Sequence, residues 1–179
     1  MKKIIAVLLL FTFGLSSCEK DDICDANTQT TPRLVITFYY DDNPTTVRNV
    51  SNMKVVGVVD GVDQPEGIIF NENGTSTTRY LTSASTVSVP LRVDADTVTY
   101  KFIYNASNTA QSNTDLLTIN YSRTNTYVSR ACGYKTTFQL PTTNDVVYSA
   151  GTDGEWMKNT EVKIRNIETE NETHVEIFF

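Results

Sequence analysis

The sequence predicts an all-β protein, a single β-sandwich of the immunoglobulin-like kind, with a β-barrel as the second choice. Three observations lead there. Short apolar runs of strand length follow one another along the chain, several of them alternating with period two. Clusters of Asp, Asn, Gly and Pro separate them, as turns require. No sustained 3.6-residue apolar pattern occurs in the body of the chain, while Thr, Val and aromatic residues, which suit a pleated half-buried surface, are frequent. At 179 residues, less a leader, there is material for one hydrophobic core. Hydrophobic residues make up 40% and the mean hydropathy is −0.25, which excludes both an integral helical membrane protein and a compositionally disordered one.

The elements are expected as follows. Arg33 to Tyr40 alternates Leu34, Ile36 and Phe38 against Val35, Thr37 and Tyr39 and reads as the first strand, broken by Asp41-Asp42-Asn43-Pro44. Met53 to Val59 is the second, with a turn at Asp60-Gly61, and Gly67 to Phe70 a shorter third. Thr86 to Val93 contains Pro90, which cannot donate to a ladder and so places this strand at an edge or a bulge. Val98, Tyr100, Phe102 and Tyr104 alternate with polar residues and give the clearest strand; Ala106 to Asp115 then reads as a loop. Leu116 to Ser122 and Thr126 to Ala131 follow with a bend near Thr124-Asn125, then Tyr134 to Leu140, ended by Pro141. Glu161 to Ile167 and Thr173 to Phe179 are expected to form a terminal hairpin about Glu168 to Glu172. This amounts to eight to ten strands.

Lys2 and Lys3 precede an apolar run from Ile4 to Phe13. Ten helical residues at 1.5 Å each cannot cross a hydrocarbon core about 30 Å thick, so residues 1–17 read as a signal peptide. Leu15-Ser16-Ser17-Cys18 then resembles a bacterial lipobox. The resemblance implies diacylglyceryl transfer to the Cys18 thiol, cleavage after Ser17 and acylation of the new amino group. Two or three acyl chains, at about 0.8 kcal/mol per buried methylene, anchor a protein stably where one would not. Glu19-Lys20-Asp21-Asp22 resembles the export signal that sends Bacteroidota lipoproteins to the outer face of the outer membrane, with a plain acidic tether on the periplasmic face as the alternative. Residues 18–31 are read as lipidated cysteine and tether, and residues 32–179 as the β-domain.

Cys24 and Cys132 remain as an even pair in an oxidising compartment, for which a disulfide is the default reading and two free thiols the alternative. A bond would close a loop worth on the order of 4 to 5 kcal/mol in the chain-entropy picture.

Loss of Lys2 and Lys3 with the leader leaves 13 basic against 21 acidic residues, a net charge of −8, and the basic residues are scattered singly. Nucleic acid is thereby excluded as an expected partner. Among candidates for chemistry, His174 is the one histidine and is expected on the solvent face of the last strand, beside Glu172 and Glu176. No nucleophile, base and orienting group can be assembled around it. The carboxylate pairs Asp41-Asp42, Asp60 with Asp63, Asp94 with Asp96, and Asp153 with Glu155 all fall in expected turns, where Asp serves the backbone. No metal site or cofactor is expected. Trp156, in a loop-like stretch, either packs under its own loop or stands exposed as a recognition residue, with Tyr39 and Tyr127 as weaker candidates. Asp96-Thr97-Val98 resembles the short O-glycosylation signal of exported Bacteroidota proteins, with Thr97 as acceptor, a match that composition alone could also produce.

Four blocks, Cys18 to Cys24, Thr31 to Ile36, Ser129-Arg130-Ala131-Cys132-Gly133-Tyr134-Lys135, and His174 to Phe179, are similar to an uncharacterised lipoprotein family of the Bacteroidota. The resemblance spans nearly the whole mature chain and implies an exported β-domain, pairing of Cys24 with Cys132, and an outer-membrane barrel protein as partner. It implies no activity. The expected function is a lipid-anchored, non-catalytic binding or assembly module of the outer membrane. A surface glycan-binding module is the alternative, and a carboxylate-based hydrolase the third reading.

Overall fold

The computed structural model describes residues 23–179, so the leader and Cys18 lie outside the described residues. Thirteen strands occur among them, in three sheets, with one 3-10 turn at Thr78–Tyr80 and no α-helix. None of the sheets closes on itself, which rules out the barrel and leaves the sandwich.

The first sheet has the order β11 (Asn159–Val162), β13 (Val175–Phe178), β1 (Leu34–Tyr39), β5 (Thr86–Val89). β1 runs parallel to β13 with Ile36 opposite Val175 and Phe38 opposite Ile177; its other neighbour and β11 are antiparallel. The second sheet has the order β10 (Val146–Ala150), β7 (Asn113–Asn120), β6 (Thr97–Tyr104), β2 (Met53–Val59), β3 (Val62–Gly67), with β4 (Leu81–Thr82) also on β2. The third is β12 (Asn166–Ile167), β9 (Gly133–Gln139), β8 (Ser122–Ser129).

Period-two alternation positions the core. Leu34, Ile36, Phe38, Val87, Val89, Val175 and Ile177 of the first sheet face Val55, Val98, Tyr100, Phe102, Leu117 and Ile119 of the second, and all are buried. Tyr121 and Phe138, edge to face at 5.2 Å, bring the root of the third sheet into the same cluster.

Several strands depart from the expected pattern for identifiable reasons. The two-residue turn Asp60-Gly61, with φ of 51° and 78°, fits a hairpin turn needing two left-handed residues, and it returns the chain as β3, Val-Asp-Gln-Pro-Glu-Gly. β3 is almost wholly exposed and has no apolar signal; as an edge strand it needs only backbone pairing and tolerates Pro65. The apolar residues that followed it, Ile68 and Phe70, pack on the core from a loop. β5 stops before Pro90 and lies at a sheet edge, as the proline demanded. Thr124-Asn125 is mid-strand in β8, where the Thr136 hydroxyl donates to Asn125 Oδ1 at 2.8 Å, and the bend falls at Tyr121 instead. The terminal hairpin survives as β11 against β13, but β12 leaves it to pair with β9.

His174 corrects the exposed-face reading: it is 2% exposed, and its ring Nδ1 accepts the Val35 N–H at 3.0 Å while its backbone N–H donates to the Val35 carbonyl. Val35 and Thr37 are buried too, so β1 is covered on both faces, and the Thr37 hydroxyl is 2.8 Å from that of Thr173. Burial pushes the His174 pKa down, and the nearby charges of Glu172 and Glu170 offset this only in part. Between that lowered value and the unfolded value near 6.5, the unfolded chain binds a proton that the folded chain refuses. Stability is therefore complete above about pH 6.5 and declines as pH falls toward the folded-state pKa. Urea midpoints measured between pH 8 and 5 should show this decline, and His174→Leu should flatten it.

Candidate functional site: the strapped hairpin

β8 and β9 form a long antiparallel hairpin whose root is in the core and whose tip stands clear of it. Near the root, Thr136, Phe138 and Leu140 are buried; toward the tip, Tyr127 is 57% and Tyr134 70% exposed. These two tyrosines lie opposite each other in the register, with ring centroids 5.4 Å apart at 68°. The turn places Gly133 at φ 69°, a left-handed conformation that glycine adopts without a Cβ penalty.

The segment preceding β1 is strapped to this hairpin. Cys24 is bonded to Cys132, with Cα atoms 4.9 Å apart. Lys135 Nζ donates to Gln29 Oε1 at 3.0 Å, and the Thr136 N–H to the Thr31 hydroxyl at 3.0 Å. The outer edge of β9, which would otherwise offer unpaired backbone groups, is partly covered in this way. At the base of the strap, Arg33 forms an ion pair with Glu170 at 2.9 Å and gives it both side-chain and backbone hydrogen bonds. Partial burial raises the Glu170 pKa, but those Arg33 bonds and its charge outweigh burial and hold the carboxyl below its usual range.

The bond separates two residues 108 apart, yet its stabilising effect is less than that span suggests. Reduction frees only the strap up to about Thr31 in the native state, so the relevant quantity is the ratio of the two loop lengths, about 2 to 3 kcal/mol at (3/2)RT ln n. Urea denaturation of the reduced, alkylated protein should show a loss of this size with the core still folding cooperatively.

Beneath the hairpin root is an open groove of about 390 Å³ lined by Asp96, Asn120, Tyr121, Gln139, Leu140 and Arg165. Its charges are already partnered: Asp96 with Arg123 at 2.7 Å, and Arg165 with Asp145 at 2.6 Å. Partial burial raises the Asp145 pKa, but the Val146 N–H and Arg165 together bring it below the ordinary carboxylate value.

The other sequence candidates do not converge here. Trp156 is only 8% exposed; its Nε1 donates to the Phe102 carbonyl at 3.2 Å and its ring meets Phe38, Tyr104 and Phe179. It is thus a packing residue, and the reading of it as an exposed recognition residue is corrected. Tyr39 is half-buried against Phe178, with centroids 5.7 Å apart. Tyr127 alone of the three stands in solvent. Thr97 is exposed at the first position of β6, opposite Asn120. The turn carboxylates are dispersed: Asp63 pairs with Lys101 at 2.7 Å, Asp94 with Arg92 at 2.8 Å, and Asp153 accepts the Thr114 N–H at 3.1 Å. Among the described residues no group of three or more His, Cys, Asp or Glu side chains is placed to hold a metal ion.

Sequence reasoning missed Asp115, which it placed in a loop. It is a β7 residue on the core face, opposite Phe102, and fully buried. Its carboxylate accepts the N–H groups of Trp156 and Met157 at 2.9 and 2.8 Å and that of Gly151 at 3.3 Å. A lone Asp before an apolar pair carries no signal of this; only the fold brings the loop from β10 to β11 over it.

No curated protein and no solved structure matches the chain. A family model described as a family of unknown function matches residues 52–179, which takes in twelve of the thirteen strands and Cys132 but neither β1 nor Cys24. By that match, which covers most of its length, the chain belongs to the family of unknown function DUF6452.

Proposed function

We propose that the mature chain is a non-catalytic lipoprotein, anchored through Cys18 in the outer membrane with its domain at the cell surface, that serves as a binding or assembly module beside an outer-membrane barrel protein. The observation that carries this reading is the strap. The residues that follow the lipobox-like Leu15-Ser16-Ser17-Cys18 are tied within six residues by Cys24–Cys132 to an exposed aromatic hairpin, so the anchor and an exposed apolar surface are joined. A bond of this kind suits an exported protein. The glycan-binding alternative needs a flat aromatic platform, and the exposed tyrosines are tilted at 68° with Trp156 withdrawn into the core. The hydrolase reading needs two acids in one cleft, whereas Asp115, the single fully buried acid among the described residues, has both oxygens occupied by backbone N–H groups.

Crosslinking in native envelopes followed by affinity capture tests the proposal: a defined envelope protein should be recovered, and the purified protein should turn over no glycan, ester or peptide substrate. Turnover abolished by neutralising one carboxylate contradicts it. Oligosaccharide binding with no protein captured transfers the case to the glycan module.

A further inference from the structure

We infer that the tip of the β8–β9 hairpin rests on the bilayer surface, with Tyr127 and Tyr134 at the level of the lipid headgroups. The inference rests on the lipid-anchor reading above and adds to it an orientation of the domain.

Three observations converge on it. The first is distance: Cys18 and Cys24 are six residues apart, so even a fully extended chain places Cys24 no more than about 22 Å from the acylated residue. The disulfide passes that restriction to the hairpin turn, because Cys132 is bonded to Cys24 and Tyr134 is two residues further on. Without the bond, the first contacts of the strap with the hairpin lie between Thr28 and Thr31, and the same reach becomes about 36 to 45 Å. The second is the character of the surface so held. Ile23 is 81% exposed beside Cys24, Tyr134 is 70% and Tyr127 57% exposed, and together they put large apolar side chains on both sides of the bond. Tyrosine, with an apolar ring and a polar tip, favours the boundary between lipid and water. The third is charge at the tip, where Arg130 is exposed in the turn and suited to lipid phosphates, while Lys135, half-buried beside Tyr134, is held by Gln29. A tether this short keeps the tip at high effective concentration over the surface, so weak individual contacts suffice.

The orientation also sets the opposite end of the sandwich facing away. The end of β1 remote from the strap carries Tyr39, bridged to Val47, and Val47 is 51% exposed there. Trp156, Tyr104 and Phe179 close the core near that end.

Depth-dependent quenching distinguishes the outcomes. The full-length protein, matured in cells and purified with its lipid, is reconstituted into phosphatidylcholine vesicles with brominated acyl chains, which are zwitterionic and so do not set the acidic tether against an anionic surface. Flotation with the vesicles, absent for a chain expressed from Glu19 that carries neither leader nor acyl group, establishes anchoring independently of orientation. On the floated protein, Tyr134→Trp should be quenched about threefold more strongly than Val47→Trp, with buried Trp156 as the unquenched internal reference in both. The Cys24→Ser, Cys132→Ser double variant should still float but lose most of the difference. Equal quenching at positions 134 and 47 in protein that floats overturns the inference and leaves the anchor standing. Tip-to-tip crosslinking between copies, with no quenching at 134, overturns it in favour of self-association. Failure of the unmodified chain to float removes the anchor reading and the inference with it.

Discussion

Asp115→Ala is expected to destabilise the protein by about 4 kcal/mol, because two buried N–H donors and a third, half-buried one lose their acceptor, and each buried group costs about 1–3 kcal/mol when left unpaired. The carboxylate sits at the end of the sandwich where the loop from β10 to β11 passes from one sheet to the other, and it fixes the backbone of Gly151, Trp156 and Met157. The loop has little freedom to adapt. A Cβ on Gly151 would lie 2.0 Å from the Thr114 carbonyl oxygen, so the chain runs against β7 at that point. Asp115→Asn keeps one oxygen but turns an amide toward a donor, and about half of the loss is expected from it. Urea denaturation monitored by tryptophan fluorescence measures both, and hydrogen exchange should show residues 151–157 opening first. A loss below about 1 kcal/mol for the alanine variant would mean that water replaces the carboxylate without penalty.

Trp156→Ala is expected to cost about 3–5 kcal/mol, the range for deleting a large aromatic from a packed interior. The indole spans the two sheets: Phe38 is on β1, Tyr104 ends β6, and Phe179 meets Trp156 edge to face at 5.2 Å. Its loss also leaves the Phe102 carbonyl without the indole N–H. Trp156→Phe fills most of the space, forfeits that bond, and should cost about half as much. Envelope capture should fall only in proportion to unfolding. Because Asp115 holds the backbone of Trp156, the double Asp115→Ala, Trp156→Ala variant should lose less than the two single losses added, a coupling that a double-mutant cycle reads directly.

What the chain disclosed in advance follows from how local each signal is. β6 was legible because Val98, Tyr100 and Phe102 alternate against exposed or half-buried neighbours in a sheet with one buried face. The Asp60-Gly61 turn and the edge position of β5 were legible because left-handed φ values and the missing N–H of Pro90 are properties of single residues. The disulfide followed from compartment and count rather than geometry. What stayed hidden depends on partners distant in sequence. β3 is held by backbone pairing to β2 and carries no apolar face. His174 is buried because its ring and backbone both engage Val35, 139 residues away. Asp115 becomes a scaffold only once the 151–157 loop crosses it. The strapped hairpin falls between: Tyr127 and the two cysteines were visible, but Tyr134 and the run of the strap along β9 emerge from the register alone.

The central claim, an anchored lipoprotein, is tested most directly at Cys18. Cells expressing the full chain are fed a tagged fatty acid and the protein is isolated under denaturing conditions. The account predicts label on the processed protein, located by peptide mapping to Cys18, and in Cys18→Ser an unlabelled precursor that keeps its leader. Processed protein of mature size that carries no label, or label that persists in Cys18→Ser, would contradict it.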